Sequence, residues 1–302
     1  MPRVGVTNVE KVARVGAQLY YAQLDCFVEL GPDPTGARFD EVINDVIGEV
    51  VLGAGAFKVE QLAQRIAIGV RGRLRAARAE VTIAARYPEY KPAPLSGIAT
   101  QEIYTLLGAA VASERGTRRL IGVAAQGMTT SPDTQRLVAE RSRERLAGDG
   151  FSDSEIAEIL AVVPLATHDQ RGLGTLHLGL PEQCHADIDA ADLLAIVEDS
   201  MSSEIYELMK RSDEGAVVEK AHRRPRFVED CVREAIRGVI DGFPQLSERH
   251  FVHSRQENLE TIHQHNVVAE RFGLLGELRH ELSSGEHLAH HTSMREWLDG
   301  RA

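Results

Sequence analysis

One order of hydrophobic periods runs through this chain twice, and it restricts the fold more than any other feature. Leu19 to Leu30 (LYYAQLDCFVEL) is rich in aromatic and β-branched residues and stops at Gly31-Pro32, which predicts a strand closed by a turn. In FDEVINDVIGEVV the apolar residues Phe39, Val42, Ile43, Val46, Ile47, Val50 and Val51 recur at three and four. VEQLAQRIAIGVRGRL repeats that spacing after a Gly-rich break, so two helices sharing a buried face follow the strand. Alternation returns in RAEVTIAARY (Arg78 to Tyr87) and, past the proline-interrupted PEYKPAPLSG, in RRLIGVAAQGM (Arg118 to Met128). From Gly172 the order is similar: GLGTLHLGL as a strand, AADLLAIVEDSMSSEIYELMKR as helix, RFVEDCVREAIRGVI as a strongly amphipathic helix and HFVHSRQ as a late strand. Such a pseudo-repeat, without letter-by-letter identity, predicts an α+β fold of two related halves. DTQRLVAERSRERLAGDG and FSDSEIAEIL, with Ser152 and Glu155 placed for a capping box, read as a helical connection between them. The halves are therefore set at 1–150 and 151–273, with a tail over 274–302.

The 302 residues suffice for both halves. With 34 Lys+Arg against 45 Asp+Glu the formal charge is -11, which argues against a general nucleic-acid binder, because phosphate contacts need a basic face. Cys26, Cys184 and Cys231 form no CxxC pair, and an odd count speaks for a reducing cytoplasm. MPRVGVTNVEKVARVG lacks the pattern of a secretory leader, and no run of about 18 apolar residues occurs, so no membrane partner is expected. Cys231 shares an apolar stripe with Phe227, Val228, Val232, Ala235, Ile236, Val239 and Ile240 and reads as core. His287, His290 and His291 in the tail read as a solvated cluster.

Imidazoles and carboxylates far apart in sequence carry the chemistry. His168 in ATHDQRG follows an apolar run and precedes Gln170 and Arg171, a polar cluster at the mouth of a strand, where ligand pockets often form. In ENLETIHQH, Glu260 and His263 are three apart, the spacing of neighbours on one face of a helical turn that can reach the same ion. Glu204 and Glu219 flank LMKRSDEGAVV, and Lys210 and Arg211 beside them suit phosphate oxygens.

RAEVTIAARYPEYKPAPLSGIATQE, VVPLATHDQRGLGTL, SSEIYELMKRSDEGAVVEKAHRRPRFVEDCVRE and ENLETIHQHN, in that order, resemble the GTP cyclohydrolases of the type IB and archaeal MptA kind, over most of the chain. The resemblance implies a tandem tunnelling fold of two βααββ-like halves, assembled into a dimer or tetramer with active sites at subunit interfaces. It implies a divalent metal (Fe²⁺, Mn²⁺ or Zn²⁺) at His168, Glu204, Glu260 and His263, with His168, Ser131 and Gln170 in catalysis. It places Glu219 on the guanine edge and Lys210, Arg211, Arg171 and Arg38 around the rest of a GTP-like purine nucleotide. The implied reaction is metal-assisted hydrolysis: activated water attacks C8, the imidazole ring opens and formate leaves. Two departures stand out. The family's MTACPCAQ-like stretch reads MTTSPDTQ here, with Ser131 and Asp133 at the cysteine positions, and an HMSRF-like string reads PTGARF. A serine hydroxyl is neutral near pH 7 and a poor zinc ligand compared with a thiolate. Three readings follow: a cyclohydrolase using a harder ion, an enzyme for part of the reaction or a related purine, and a nucleotide-binding paralogue without catalysis.

Overall fold

A computed structural model describes residues 3–15, 18–31, 38–53, 58–182, 184 and 186–301. In chain order the elements are β1 (Val4–Val15), β2 (Gln18–Glu29), α1 (Phe39–Leu52), α2 (Val59–Leu74), β3 (Arg78–Pro92), β4 (Ala99–Ser113), β5 (Gly116–Thr130), α3 (Pro132–Gly148) and α4 (Asp153–Val162). There follow β6 (Asp169–Leu180), α5 (Ala190–Ser200), β7 (Ser203–Glu204), α6 (Arg211–Arg223), α7 (Val228–Gly242), β8 (Phe251–Leu259), β9 (Val267–Leu274), α8 (Leu275–Ser284) and α9 (Met294–Leu298). The strands form one antiparallel sheet in the order β1-β2-β3-β4-β5-β6-β8-β9, with the short β7 added to β5. Two strands, a pair of covering helices and two strands occur twice: β1-β2-α1-α2-β3-β4, then β5-β6-α5-α7-β8-β9, the second interrupted by α3 and α4 and by β7 and α6. The doubled α+β order is thus present; β5, read from the sequence as the last strand of the first half, opens the second, and β1, β4 and β9 join the strands the periodicity shows.

Burial explains the layers. Leu62, Ala63, Ile66, Ala67 and Val70 form the buried stripe of α2, which lies across β3 and β4. Each large aliphatic side chain so removed from water contributes about 1.5–3 kcal/mol. Gly108 on β4 permits that approach, since a Cβ there would sit 2.7 Å from the Val59 carbonyl oxygen. Leu193, Leu194 and Val197 of α5 and the stripe of α7, Cys231 included, continue the same core over β5, β6 and β8. On the opposite face Trp297 of α9 is buried against Leu120 and Phe251, its indole N–H donating to the Arg249 carbonyl at 3.0 Å. Between the halves, β5 and β6 pair without a register shift from Arg119↔Leu180 to Thr130↔Asp169. Among the described residues no helix is long and apolar enough to cross a membrane.

Several elements differ from the periodicity. β3 runs on through Pro88 to Pro92, because its pairing with β2 ends at Ala85 and only β4 accompanies it further. A proline is tolerated where one edge needs no N–H donor. The helix expected over AADLLAIVEDSMSSEIYELMKR stops at Ser200, where serines bond the backbone instead: Ser200 Oγ donates to Val197 O at 2.7 Å and Ser202 Oγ accepts from Thr130 N at 3.1 Å. Glu204 therefore stands on β7. Glu260 and His263 lie in the loop joining β8 to β9, whose pairing closes at Asn258↔Val267, so their spacing of three belongs to a hairpin loop and not to a helical turn. The capping box at Ser152 and Glu155 is present. In the tail His287 and His290 are exposed, whereas His291 is drawn to within 3.0 Å of the buried Glu281.

Candidate active site

The end of the sheet where β5 finishes and β6 begins opens into a cavity of about 280 Å³. It is lined by Ser131, His168, Gln170, Asn258, Glu260 and His263, with the start of α7 forming one wall. Strand pairing brings the groups together: Thr129↔Gln170 and Thr130↔Asp169 place the residue after β5 beside the residue before β6. Ser131 N donates to His168 O at 3.2 Å, and Thr167 Oγ1 donates to Ser131 O at 2.7 Å. Across β6, Gly172↔Asn258 sets the end of β8 alongside, and Thr261 Oγ1 ties the loop to Asp169 O at 2.9 Å. The chain thereby carries Glu260 to His168.

His168 Nδ1 lies 3.9 Å from Glu260 Oε2, with both side chains largely shielded from water. The ring of His263 stands edge-on to His168 at 6.5 Å between centroids and stacks on His265 at 5.2 Å. Buried polar atoms here lack partners: His168 Nδ1, Gln170 Oε1 and Thr129 Oγ1. Such atoms are rare in folded proteins, and several at one place mark a site built for something besides the chain itself. Ser131 is already engaged, since it is the N-cap of α3 and its Oγ accepts from Thr134 N at 3.3 Å. Among the described residues no three His, Cys, Asp or Glu side chains close on one point at ligand distance. The donors at the cleft nevertheless suit a divalent ion, because an unbonded buried imidazole nitrogen faces a carboxylate with a second imidazole next to it.

Other sequence-selected residues lie elsewhere in the chain. Glu204, in register with Gly127 of β5, is ion-paired with Lys220 and accepts from Tyr206 OH at 2.8 Å. Burial opposes its ionisation, but the Lys220 and Tyr206 bonds outweigh it and hold the carboxyl below its ordinary value. Glu219 is exposed on α6 and paired with Arg223 at 2.9 Å. Lys210 is the N-cap of α6 and Arg211 its first residue, both exposed. Arg171 reaches Gln126 at 2.7 Å from the exposed side of β6, and Arg38 is paired with Glu41 at 2.7 Å before α1. The rest of the Pro34 to Ala37 stretch lies outside the described residues.

Arg226, Asn258 and His265 also line the cavity, and sequence reasoning did not single them out; Phe227, placed by its period on the core stripe of α7, is instead the exposed N-cap of that helix and lines the cavity too. Arg226 follows Pro225 just before α7, where its N–H donates to Thr130 O at 3.0 Å and its guanidinium holds Ser200 O at 2.7 Å. Asn258 had a readable signal, as an amide on the inward side of an alternating strand. Asp213 is a further omission: its buried carboxylate accepts from Leu95 N, Ser96 N, Ser96 Oγ and Lys210 N at 2.7–2.9 Å, clamping α6 to the turn after β3.

An antiparallel sheet built twice from two strands, helices and two strands, with a polar cleft at its end, is the architecture of the tunnelling-fold proteins, and the chain is an α+β member of that class. Uricase from Arthrobacter globiformis shares the fold at a TM-score of 0.56 and 8% identity, over 89% of this chain and 92% of that one. The chain belongs to the type I GTP cyclohydrolase folE2 family, an enzyme family whose profile matches residues 1–269. Among its relatives, GTP cyclohydrolase MptA of Methanosarcina mazei is 37% identical over 94% of this chain and 93% of its own length. GTP cyclohydrolase MptA of Methanocaldococcus jannaschii is 36% identical over 95% of both chains.

Proposed function

We propose that this protein is a metal-dependent GTP cyclohydrolase that opens the purine imidazole ring hydrolytically at C8, in the cleft between the start of β6, the start of α7 and the β8–β9 loop. The observation that carries the reading is the meeting of His168, Glu260 and His263, distant in sequence, beside buried polar atoms with nothing to bond. A divalent ion held there by His168, Glu260 and His263 would supply Lewis acidity and lower the pKa of water. With Ser131 in place of a thiol the donors are nitrogen and oxygen, which suits Mn²⁺ or Fe²⁺ better than Zn²⁺. His168 Nδ1 serves as ligand or, where Glu260 and His263 alone hold the ion, as proton carrier, and Gln170 Oε1 accepts an N–H of the ring. Glu219, Lys210 and Arg211 face outward on α6, so their part in holding guanine and phosphate falls to an assembly of subunits. Exposed Phe227, Leu259, Ile262 and Val267 around the opening support a homo-oligomer whose sites are completed across subunit boundaries.

A second reading, an enzyme that performs only ring opening or takes a related purine, is favoured by the engagement of Ser131 as a helix cap. Incubation with GTP and Mn²⁺ or Fe²⁺, following formate and product absorbance, tests both. Formate with a pterin-type product is expected. An opened formamidopyrimidine without formate would replace the first reading by the second, and nucleotide binding without turnover would overturn both.

A further inference from the structure

The far end of β6 carries a second reactive constellation. Cys184 follows that strand, partly exposed, with Sγ 3.2 Å from Nε2 of the buried His250. His250 Nδ1 lies 3.0 Å from both Ser247 O and Ser247 Oγ. The hydroxyl can donate or accept but the carbonyl can only accept, so the tautomer that suits both partners carries its proton on Nδ1 and leaves Nε2 as an acceptor facing the thiol. Burial lowers the pKa of His250, which favours that neutral ring. The N–H of Ala186 reaches the same sulfur at 3.4 Å. Arg119 donates to the Cys184 carbonyl at 3.3 Å and to Gln64 Oε1 at 3.2 Å, while its Nε is buried without a partner, which sets a cation beside the cysteine. A base for the thiol proton, an N–H on the sulfur and a neighbouring cation are the surroundings that activate a cysteine. Cys26 and Cys231 lie instead in the apolar core, where burial pushes both thiols up to about 12.

We propose that Cys184 is a nucleophilic thiol with His250 as its general base, open to modification by hydroperoxides. Sγ attacks one peroxide oxygen, the S–O bond forms as the O–O bond breaks, and the thiol proton passes through His250 Nε2 to the departing oxide. Sulfur gives up two electrons, the peroxide takes them, and the products are a sulfenic acid and water or an alcohol. The length of β6, roughly 36 Å at 3.3 Å per residue, separates this thiol from the cleft, so its chemistry is independent of the cyclohydrolase reading.

The test is the rate of iodoacetamide alkylation of the full-length protein at pH 7, resolved by cysteine with peptide mass spectrometry. Cys184 is expected to react at least about tenfold faster than a cysteine in a model peptide. His250→Gln should slow it about tenfold. Hydrogen peroxide followed by dimedone should tag Cys184 in the wild type. Peptide-like reactivity or no dimedone adduct at Cys184 overturns the proposal. The wild-type measurements decide it even where His250→Gln fails to fold.

Discussion

The cleft at the start of β6 and the surface carried by α6 are both made of polar and charged side chains, but they differ in how far those groups satisfy one another. At the cleft, Thr129 Oγ1, His168 Nδ1 and Gln170 Oε1 are buried with no bond. Around α6, Asp213 is surrounded by N–H and O–H donors, Glu204 takes Lys220 and Tyr206, and Glu219 takes Arg223. An unpaired buried polar atom costs about 1–3 kcal/mol. A fold that leaves several together keeps them available for another molecule, whereas one that pairs its charges uses them to fix position. The same sequence segments that suggest one site therefore divide, within a single chain, into groups held free and groups holding structure.

The sharpest way to break this contrast is His168→Ala. Formate release from GTP should fall about a thousandfold, while the thermal midpoint of the metal-free protein stays nearly unchanged, since the ring nitrogen has no protein bond to lose. Next, metal analysis should find close to one divalent ion per wild-type chain, and Glu260→Ala or His263→Ala should each weaken metal affinity at least about 100-fold. Retention of the ion by both variants would move the ligand set elsewhere. On the paired side, Asp213→Asn should lower the thermal midpoint at pH 7 with little direct effect on the cleft. The Ser96 hydroxyl and the backbone N–H groups of Ser96, Leu95 and Lys210 hold the Asp213 carboxyl well below its ordinary value. Its stabilisation is therefore complete well above the unfolded pKa of about 3.9 and lost progressively as the pH falls from there through the lowered folded value. Wild-type and variant midpoints should begin to converge only below about pH 4 and close further as acid is added, and a constant gap would show that the charge is not what matters. The smallest effect belongs to Ser131→Ala, a lost helix cap worth about 1 kcal/mol by denaturant unfolding. Ser131→Cys should raise zinc affinity, and no change would place that side chain out of reach of the ion.

Where a segment's burial repeats at its own period, the sequence showed it: α1, α2, α7, β2, β6 and β8 all read correctly. What escaped depends on partners distant in sequence. β1 is interrupted at Asn8, in the left-handed region at φ 58°, and its register shifts between Val6 and Val9. β4 runs through LLGAAVAS, whose glycine, alanines and serine have little strand preference, held by pairing on both sides. β9 alternates little in burial because it is an edge. In the site, His168 and Gln170 were visible as polar residues at a strand mouth. The meeting of His168 with Glu260 depends on the β6–β8 register, which no local pattern contains, and the Lys220 partner of Glu204 emerges only once β7 has formed.

The uninterrupted β5–β6 register has a consequence for how this enzyme can vary through descent. Successive side chains on a strand face opposite ways, so gain or loss of one codon within β6 would turn Gln170 out of the cleft and swing Arg171 toward it. Changes by two would preserve facing while sliding the strand by about 6.6 Å. Lineages are therefore free to lengthen the α3 and α4 excursion, which leaves the sheet at Ser131 and returns at His168, but can alter the strand itself only by substitution.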